Sequence, residues 1–322
     1  MRIPCLMFFW ACLAAPLAHA QPVPDNVLVK MTPPGTTSLV GARMDQIKAT
    51  EFYRRLVEQQ KLQQIDRFAK ETGFDLRRDV REMLFAGSAA GGVLLARGTF
   101  RIQPEPLRRS QAKPIRHGGY TIWSLGDSGF CILDATLAAA GDLKSLEAAL
   151  DEWTSGTHTA ARPLLAQARE VDAKAQFWGV STGFATFLAD NMPRAGGRAG
   201  GIDFSRIFRG LEDTWFQADF RTGFHGDLHG RTAAEQDAVN LRDTAKGLVG
   251  FGRLSVPENQ PEMLKLWDGI TVEQQGKSLT IRAEIPQNLV DQLVRMLSSA
   301  PGGRGRAGRG DSVPPAGIPK PL

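Results

Sequence analysis

The chain has 322 residues, 42% of them hydrophobic and 23% charged. That balance fits a globular protein with a buried core and excludes a collagen-like or wholly disordered chain. Of the formal charge of +5, Arg2 and the segment from Pro301 to Leu322 supply four, so the folded part sits near +1 and lacks the basic character of a nucleic-acid-binding domain.

The first 20 residues read as a signal peptide. Arg2 is the positive start, Cys5 to Ala14 the apolar run, and Ala18-His19-Ala20 the cleavage site. A lipoprotein reading at Cys12 is disfavoured by the bulky Phe9 and Trp10 before it. Later apolar runs fall short of the roughly 18 residues of a membrane span. The expected product is an exported chain, periplasmic or secreted. Cys131 is then the one cysteine left, in an apolar strand, and reads as an inert buried thiol.

Residues 21–36 form a proline-rich lead-in, with Val27 to Val29 as a short strand. Ser38 to Met44 is a strand, and Asp45 caps a helix running to about Gln59. A second helix ends at Gly73. Met83 to Gly87 and Val93 to Phe100 are strands joined through Gly91-Gly92, and a short helix follows near Pro106. Tyr120 to Leu125 pairs with a long strand from Gly129 to Ala140. The helix Leu143 to Trp153 puts Leu143, Leu146, Leu150 and Trp153 on one stripe and closes the first half.

Residues 154–174 read as a connector with a short helix, Pro163 to Arg169. A strand follows, Ala175 to Val180. Phe184 to Asn191 reads as helix, Met192 to Gly201 as a loop and Phe204 to Leu211 as helix. Thr214 to Leu248 carries the clearest pattern. Phe216, Ala218 and Phe220 alternate with Gln217, Asp219 and Arg221. Phe224, Gly226 and Leu228 alternate with His225, Asp227 and His229, across a turn at Thr222-Gly223. Thr232 with Glu235 reads as a capping box for a helix bearing Ala238, Leu241, Ala245 and Leu248. Pro261 to Trp267 is a short helix, Ile270 to Gln274 and Ser278 to Ile285 are strands, and Pro286 opens the last helix. From residue 300 the Gly/Arg/Pro-rich tail has too little apolar content to fold.

Elements recur in similar order over 37–153 and 175–299. The expected fold is therefore α+β: a duplicated, largely antiparallel architecture with helices packed on one face of its sheets.

Several stretches carry a resemblance: Leu95 to Phe100, Ala140-Gly141-Asp142 leading into Leu146, Gln176 to Val180, and Trp215 to Leu248. Through them the chain resembles a group of uncharacterised secreted bacterial proteins, known mainly from acidobacteria-like genomes, that share a domain of unknown function. The resemblance implies the fold and export, and brings no catalytic residues.

Two patterns carry candidate chemistry. Gly179-Val180-Ser181-Thr182-Gly183 matches G-x-S-x-G, with Ser181 as candidate nucleophile and His117-Gly118-Gly119 resembling an oxyanion motif. Against a hydrolase stand the many hairpins and the absence of any histidine after His229. His225, Asp227 and His229 share one face of a strand. The two histidines lie roughly 13 Å apart in an extended strand, too far to share one zinc ion. These three residues are the candidate binding positions, on the wet face with Gln217 and Asp219. Trp123, Trp178, Trp215 and Trp267 read as core rather than as a sugar platform. Arg309-Gly310-Asp311 reads as tail composition, not as an adhesion signal. The leading expectation is a non-catalytic envelope protein that binds or scaffolds an unknown partner or ligand. It needs no cofactor or metal. The alternatives are a serine hydrolase using Ser181 and a metal site near His225 and Asp227.

Overall fold

A computed structural model describes residues 26–59, 66, 69, 75–101, 112–156, 162–182 and 210–299. The first seven strands are β1 (Ser38–Arg43), β2 (Val80–Ser88), β3 (Gly91–Gly98), β4 (Lys113–His117), β5 (Tyr120–Leu125), β6 (Ser128–Ile132) and β7 (Leu137–Asp142). The other five are β8 (Phe177–Thr182), β9 (Leu211–Asp219), β10 (Phe224–Thr232), β11 (Ile270–Gln275) and β12 (Ser278–Ile285). The helices are α1 (Asn26–Val29), α2 (Met44–Lys48), α3 (Glu51–Gln59), α4 (Leu76–Asp79), α5 (Leu143–Ser155), α6 (Arg162–Ala168), α7 (Glu235–Leu254), α8 (Leu264–Asp268) and α9 (Gln287–Ser299).

Among the described residues the strands form one twelve-stranded sheet in the order β11-β12-β10-β9-β8-β1-β2-β3-β7-β6-β5-β4. Neighbours are antiparallel throughout. The fold is α+β. In place of separate sheets for the two halves, β1 pairs with β8 and makes the sheet continuous.

Cross-strand register shows how the sheet is covered, because paired residues point to the same side. One row runs Ile115, Ile122, Cys131, Ala139, Leu95, Leu84, Gly41 and Trp178 from β4 to β8. It continues as Gln217, Asp227, Arg282 and Thr271 on β9, β10, β12 and β11. The apolar part of this near face is buried under α5 and α6, where Leu146, Ala149, Leu150, Leu164 and Ala168 join the main core. Asp142 starts α5 by accepting from the Ser145 N–H at 2.9 Å, and Gly156 ends it in the left-handed conformation at φ 72°.

On the far face the adjacent row stays apolar in the second half: Gly179, Phe216, Leu228, Ile281 and Val272. There α7 packs, with Leu241 and Ala245 against Leu211, Phe216, Leu228 and Val272. The helices α5 and α7 thus lie on opposite faces of the one sheet, whereas the sequence pattern suggested a single face. The near face of β9, β10 and β12 is left uncovered by α5 and α7.

Other expectations are corrected in detail. Val27 to Val29 lie in one helical turn rather than a strand. The helix expected from Asp45 to Gln59 breaks into α2 and α3, because Thr50 terminates the first and caps the second: its hydroxyl reaches the Ile47 carbonyl at 2.6 Å and accepts from the Tyr53 N–H at 3.2 Å. The long strand from Gly129 splits into β6 and β7 at an Asx turn. Asp134 Oδ1 accepts from the backbone N–H groups of Thr136 and Leu137 there. Thr232 forms no capping box. It ends β10, its hydroxyl lies 2.7 Å from the Ala234 carbonyl, and α7 starts after Ala234 without a side-chain cap. The strand β4 was not foreseen. The signal peptide, the helix near Pro106, the segment 183–209 and the tail lie outside the described residues.

Candidate ligand-binding face

The uncovered near face takes its polarity from strict alternation. On β9 Phe216 and Ala218 turn to the α7 side, so Asp213, Trp215 and Gln217 turn the other way. On β10 Arg231, His229 and Asp227 stand opposite them in register. β12 adds Ser278, Thr280 and Arg282 to the same face. The boundary is α6 and the loop after it: Leu164 and Ala168 are buried in the core, while Gln167 and Glu170 border the open side.

The polar side chains hold one another in place. Gln217 Nε2 donates to Asp227 Oδ2 at 2.9 Å, and Gln217 Oε1 accepts from the Asp172 backbone N–H at 2.8 Å. Arg282 lies 3.5 Å from Asp227 and 3.1 Å from Glu273. Gln167 Nε2 donates to Asp213 Oδ1 at 2.9 Å, and Arg231 pairs with the other oxygen of Asp213. Trp215 and His229 stack with ring centroids 3.8 Å apart, and His229 Nδ1 lies 3.1 Å from the Thr280 hydroxyl. Burial pushes the His229 imidazole below its usual pKa; Asp227 opposes that shift and Arg282 adds to it. Asp219 is disfavoured as an anion by burial, but hydrogen bonds from Arg221 outweigh this and leave its pKa lowered.

Two clefts open on this face. One, of about 380 Å³, lies between α6, β9 and β10 and is bordered by Gln167, Asp213, Trp215, His229 and Arg231. The other, of about 480 Å³, is bordered by Lys174, Gln217, Asp219, His225 and Asp227.

The three candidate binding residues are therefore on one face, but not at one point. Asp227 and His225 border the second cleft and His229 the first. His225 is exposed, with its Nε2 3.3 Å from the Thr222 hydroxyl. No group of three or more His, Cys, Asp or Glu side chains among the described residues is placed to hold a metal ion. Gln167, Asp213 and Arg282 were not singled out in the sequence. Gln217 and Asp219 gave the alternation, but Gln167 comes from a helix 46 residues from its partner Asp213.

Ser181 is placed differently from the expectation. It lies inside β8, not on a strand-to-helix turn, and is 4% exposed. Its hydroxyl is 2.7 Å from that of Ser38 on β1. It pairs with Thr214, so it points to the far face, while His225 and His229 point to the near one. His117-Gly118-Gly119 is no oxyanion motif. It forms the β4–β5 turn, with Gly118 and Gly119 at φ 53° and 86° as a type I′ turn requires. Trp178 is core, buried over Gly41. Burial pushes the Cys131 thiol up to about 11, as an inert cysteine requires.

Comparison with protein-family models finds no match, and comparison with curated proteins finds none either. Among solved structures, TP0453 in crystal form III superimposes with a TM-score of 0.50 at 9% identity. The match covers 84% of this chain and 98% of that one. The likeness is one of fold. Two further crystal forms of TP0453 match at a TM-score of 0.44. No helix among the described residues is long and apolar enough to cross a membrane.

Proposed function

We propose that the chain is an exported, non-catalytic protein of the cell envelope that binds a ligand or partner on the open near face of β9, β10 and β12. The observation that carries this reading is the change along one cross-strand row, from buried apolar side chains to Gln217, Asp227 and Arg282, over which neither α5 nor α7 of the described residues packs. An interlocked polar surface of this kind is preorganised for recognition. His225, Asp227 and His229 are its binding residues. The matching strand orders β1-β2-β3-β7-β6 and β8-β9-β10-β12-β11 support reading the halves as a duplication. The family resemblance and export belong to the same proposal; N-terminal sequencing of the secreted protein is expected to start at Gln21, and a start at Cys12 or Met1 would refute it.

A thermal-shift screen with amino acids, sugars, nucleotides and lipid headgroups tests the binding reading. The double variant His225→Ala/Asp227→Ala is expected to keep wild-type stability within about 1 kcal/mol, as surface substitutions do. It is expected to lose the shift that a ligand of the second cleft gives the wild type. Unfolding of the variant would show that these side chains serve the fold instead.

A further inference from the structure

We infer that the free edge of β11 is an interface with a second copy of this chain, the two copies meeting edge to edge about a two-fold axis at Val272. The interface does not depend on what the near face binds.

The backbone decides which groups this edge offers. In a strand the N–H and C=O of one residue point to the same side, and successive residues alternate between the two sides. The Glu284 N–H donates to the Gly269 carbonyl at 2.9 Å, and Gln275 faces Ser278 across the two-residue turn Gly276-Lys277. Odd-numbered residues of β11 therefore turn their backbone groups inward to β12. Ile270, Val272 and Gln274 turn theirs outward, and β11 is the last strand at that end of the sheet. Among the described residues no backbone group outside the sheet bonds to them. A row of unpaired N–H and C=O groups is a template for another strand.

The row is complementary to itself. With Val272 set against its own counterpart in an antiparallel partner, Ile270 stands opposite Gln274 at both ends. Each outward N–H then meets an outward carbonyl, three from each copy. Charge agrees with this register. It sets the exposed Thr271 across from the partner subunit's Glu273, and no two like charges face each other. Moving the axis to Glu273 would set two carboxylates face to face and carry the end of each row past its partner. On the far face Val272 belongs to the cluster that α7 closes with Leu241, so the meeting of two valines joins two apolar clusters. The other end of the sheet has no equivalent row. In β4 His117 closes the turn to Tyr120, so Pro114 falls at an outward position and has no N–H to offer.

The pairing has a consequence for the near face. Residues opposite each other across an antiparallel seam point to the same side. The open polar faces of the two copies therefore lie on one side of a continuous sheet. From β10 of one copy to β10 of the other is five strand spacings, roughly 24 Å. The pair presents two copies of the same face, side by side.

The test is sedimentation of the full chain over a range of concentrations. A reversible dimer is expected, with a dissociation constant on the order of 10 µM, as for a small interface. Gln274→Pro removes an outward N–H and no bond to β12, and the extended Glu273 before it suits a proline. It is expected to weaken the dimer at least about tenfold while the circular dichroism spectrum stays that of the wild type. Thr271→Glu leaves the backbone alone and sets carboxylates opposite Glu273 twice; it is expected to weaken the dimer about tenfold, less so at high salt. The register is read by cross-linking. Thr271→Cys and Glu273→Cys chains, mixed and oxidised, are expected to give a disulfide-linked pair, because opposite residues of this kind hold their Cα atoms about 4.5 Å apart. Neither variant is expected to do so alone, and the buried Cys131 takes no part. A monomer at every concentration, a dimer that Gln274→Pro and Thr271→Glu both leave intact, or cross-linking of Glu273→Cys with itself would overturn the proposal.

Discussion

Gly41 is a glycine because Trp178 occupies the space a side chain would need. A Cβ there would lie 2.2 Å from the indole ring. Gly41→Ala is therefore expected to destabilise by about 1–3 kcal/mol, the cost of overpacking a filled core, read as a lower urea midpoint. An unchanged midpoint would mean that the indole moves aside freely. His229 makes a second prediction at this scale. Its folded pKa is lowered, so the unfolded chain binds the proton more readily. The stability linked to it is present above the unfolded value of about 6.5 and is lost as pH falls through the folded value. Wild type is expected to lose stability relative to His229→Phe between about pH 7 and pH 5, a window set by that unfolded value. Parallel pH profiles for the two proteins would contradict this.

Among the elements, the β9–β10–α7 unit was the most legible in the sequence. Its strands alternate without interruption, so one residue in two could be assigned a face. That assignment also foretold the open polar face. Leu241, 6% exposed, anchors α7 beneath that hairpin. Leu241→Ala is expected to cost about 2–5 kcal/mol in a denaturant titration, as buried leucine truncations do. A loss under about 1 kcal/mol, typical of surface sites, would show that α7 packs loosely. The misreadings have local causes. β4, with Lys113, Pro114 and Arg116, carries the composition of a loop and is tolerated as a strand because it lies at the sheet edge. β6 and β7 ran together because the link between them has neither Gly nor Pro; the sign was Asp134 two residues before Thr136. The G-x-S-x-G pattern at Ser181 says nothing about which way a strand residue points, and the ladder turns this one to the far face. In the site, Gln167 and Arg282 were invisible for a different reason: their partners come from distant parts of the chain, and no local pattern records such pairing.

For the whole molecule, the β1–β8 pairing matters most. It joins Leu39 of the first half to Val180 of the second inside one buried cluster, so the main core is shared between the halves. Unfolding is accordingly expected as a single cooperative transition, with far-ultraviolet circular dichroism and tryptophan fluorescence superimposed. Leu84→Ala in one half and Leu241→Ala in the other should each shift that one transition. Two resolved steps would show that the halves melt independently.

The sheet is open, and its two ends differ. At one end β4 presents Pro114, which has no N–H, between Lys113 and Arg116. At the other, β11 reads Ile-Thr-Val-Glu-Gln-Gln, with no proline and no lysine. Endless fibre growth by strand addition needs two receptive edges per molecule, one to accept the previous copy and one to offer to the next. Among the described residues the sheet has one blunt edge and one receptive edge. Two copies meeting β11 to β11 would use up both receptive edges at once, and the assembly would stop at a pair: the basic, proline-bearing hairpin at the far end acts as a chain terminator.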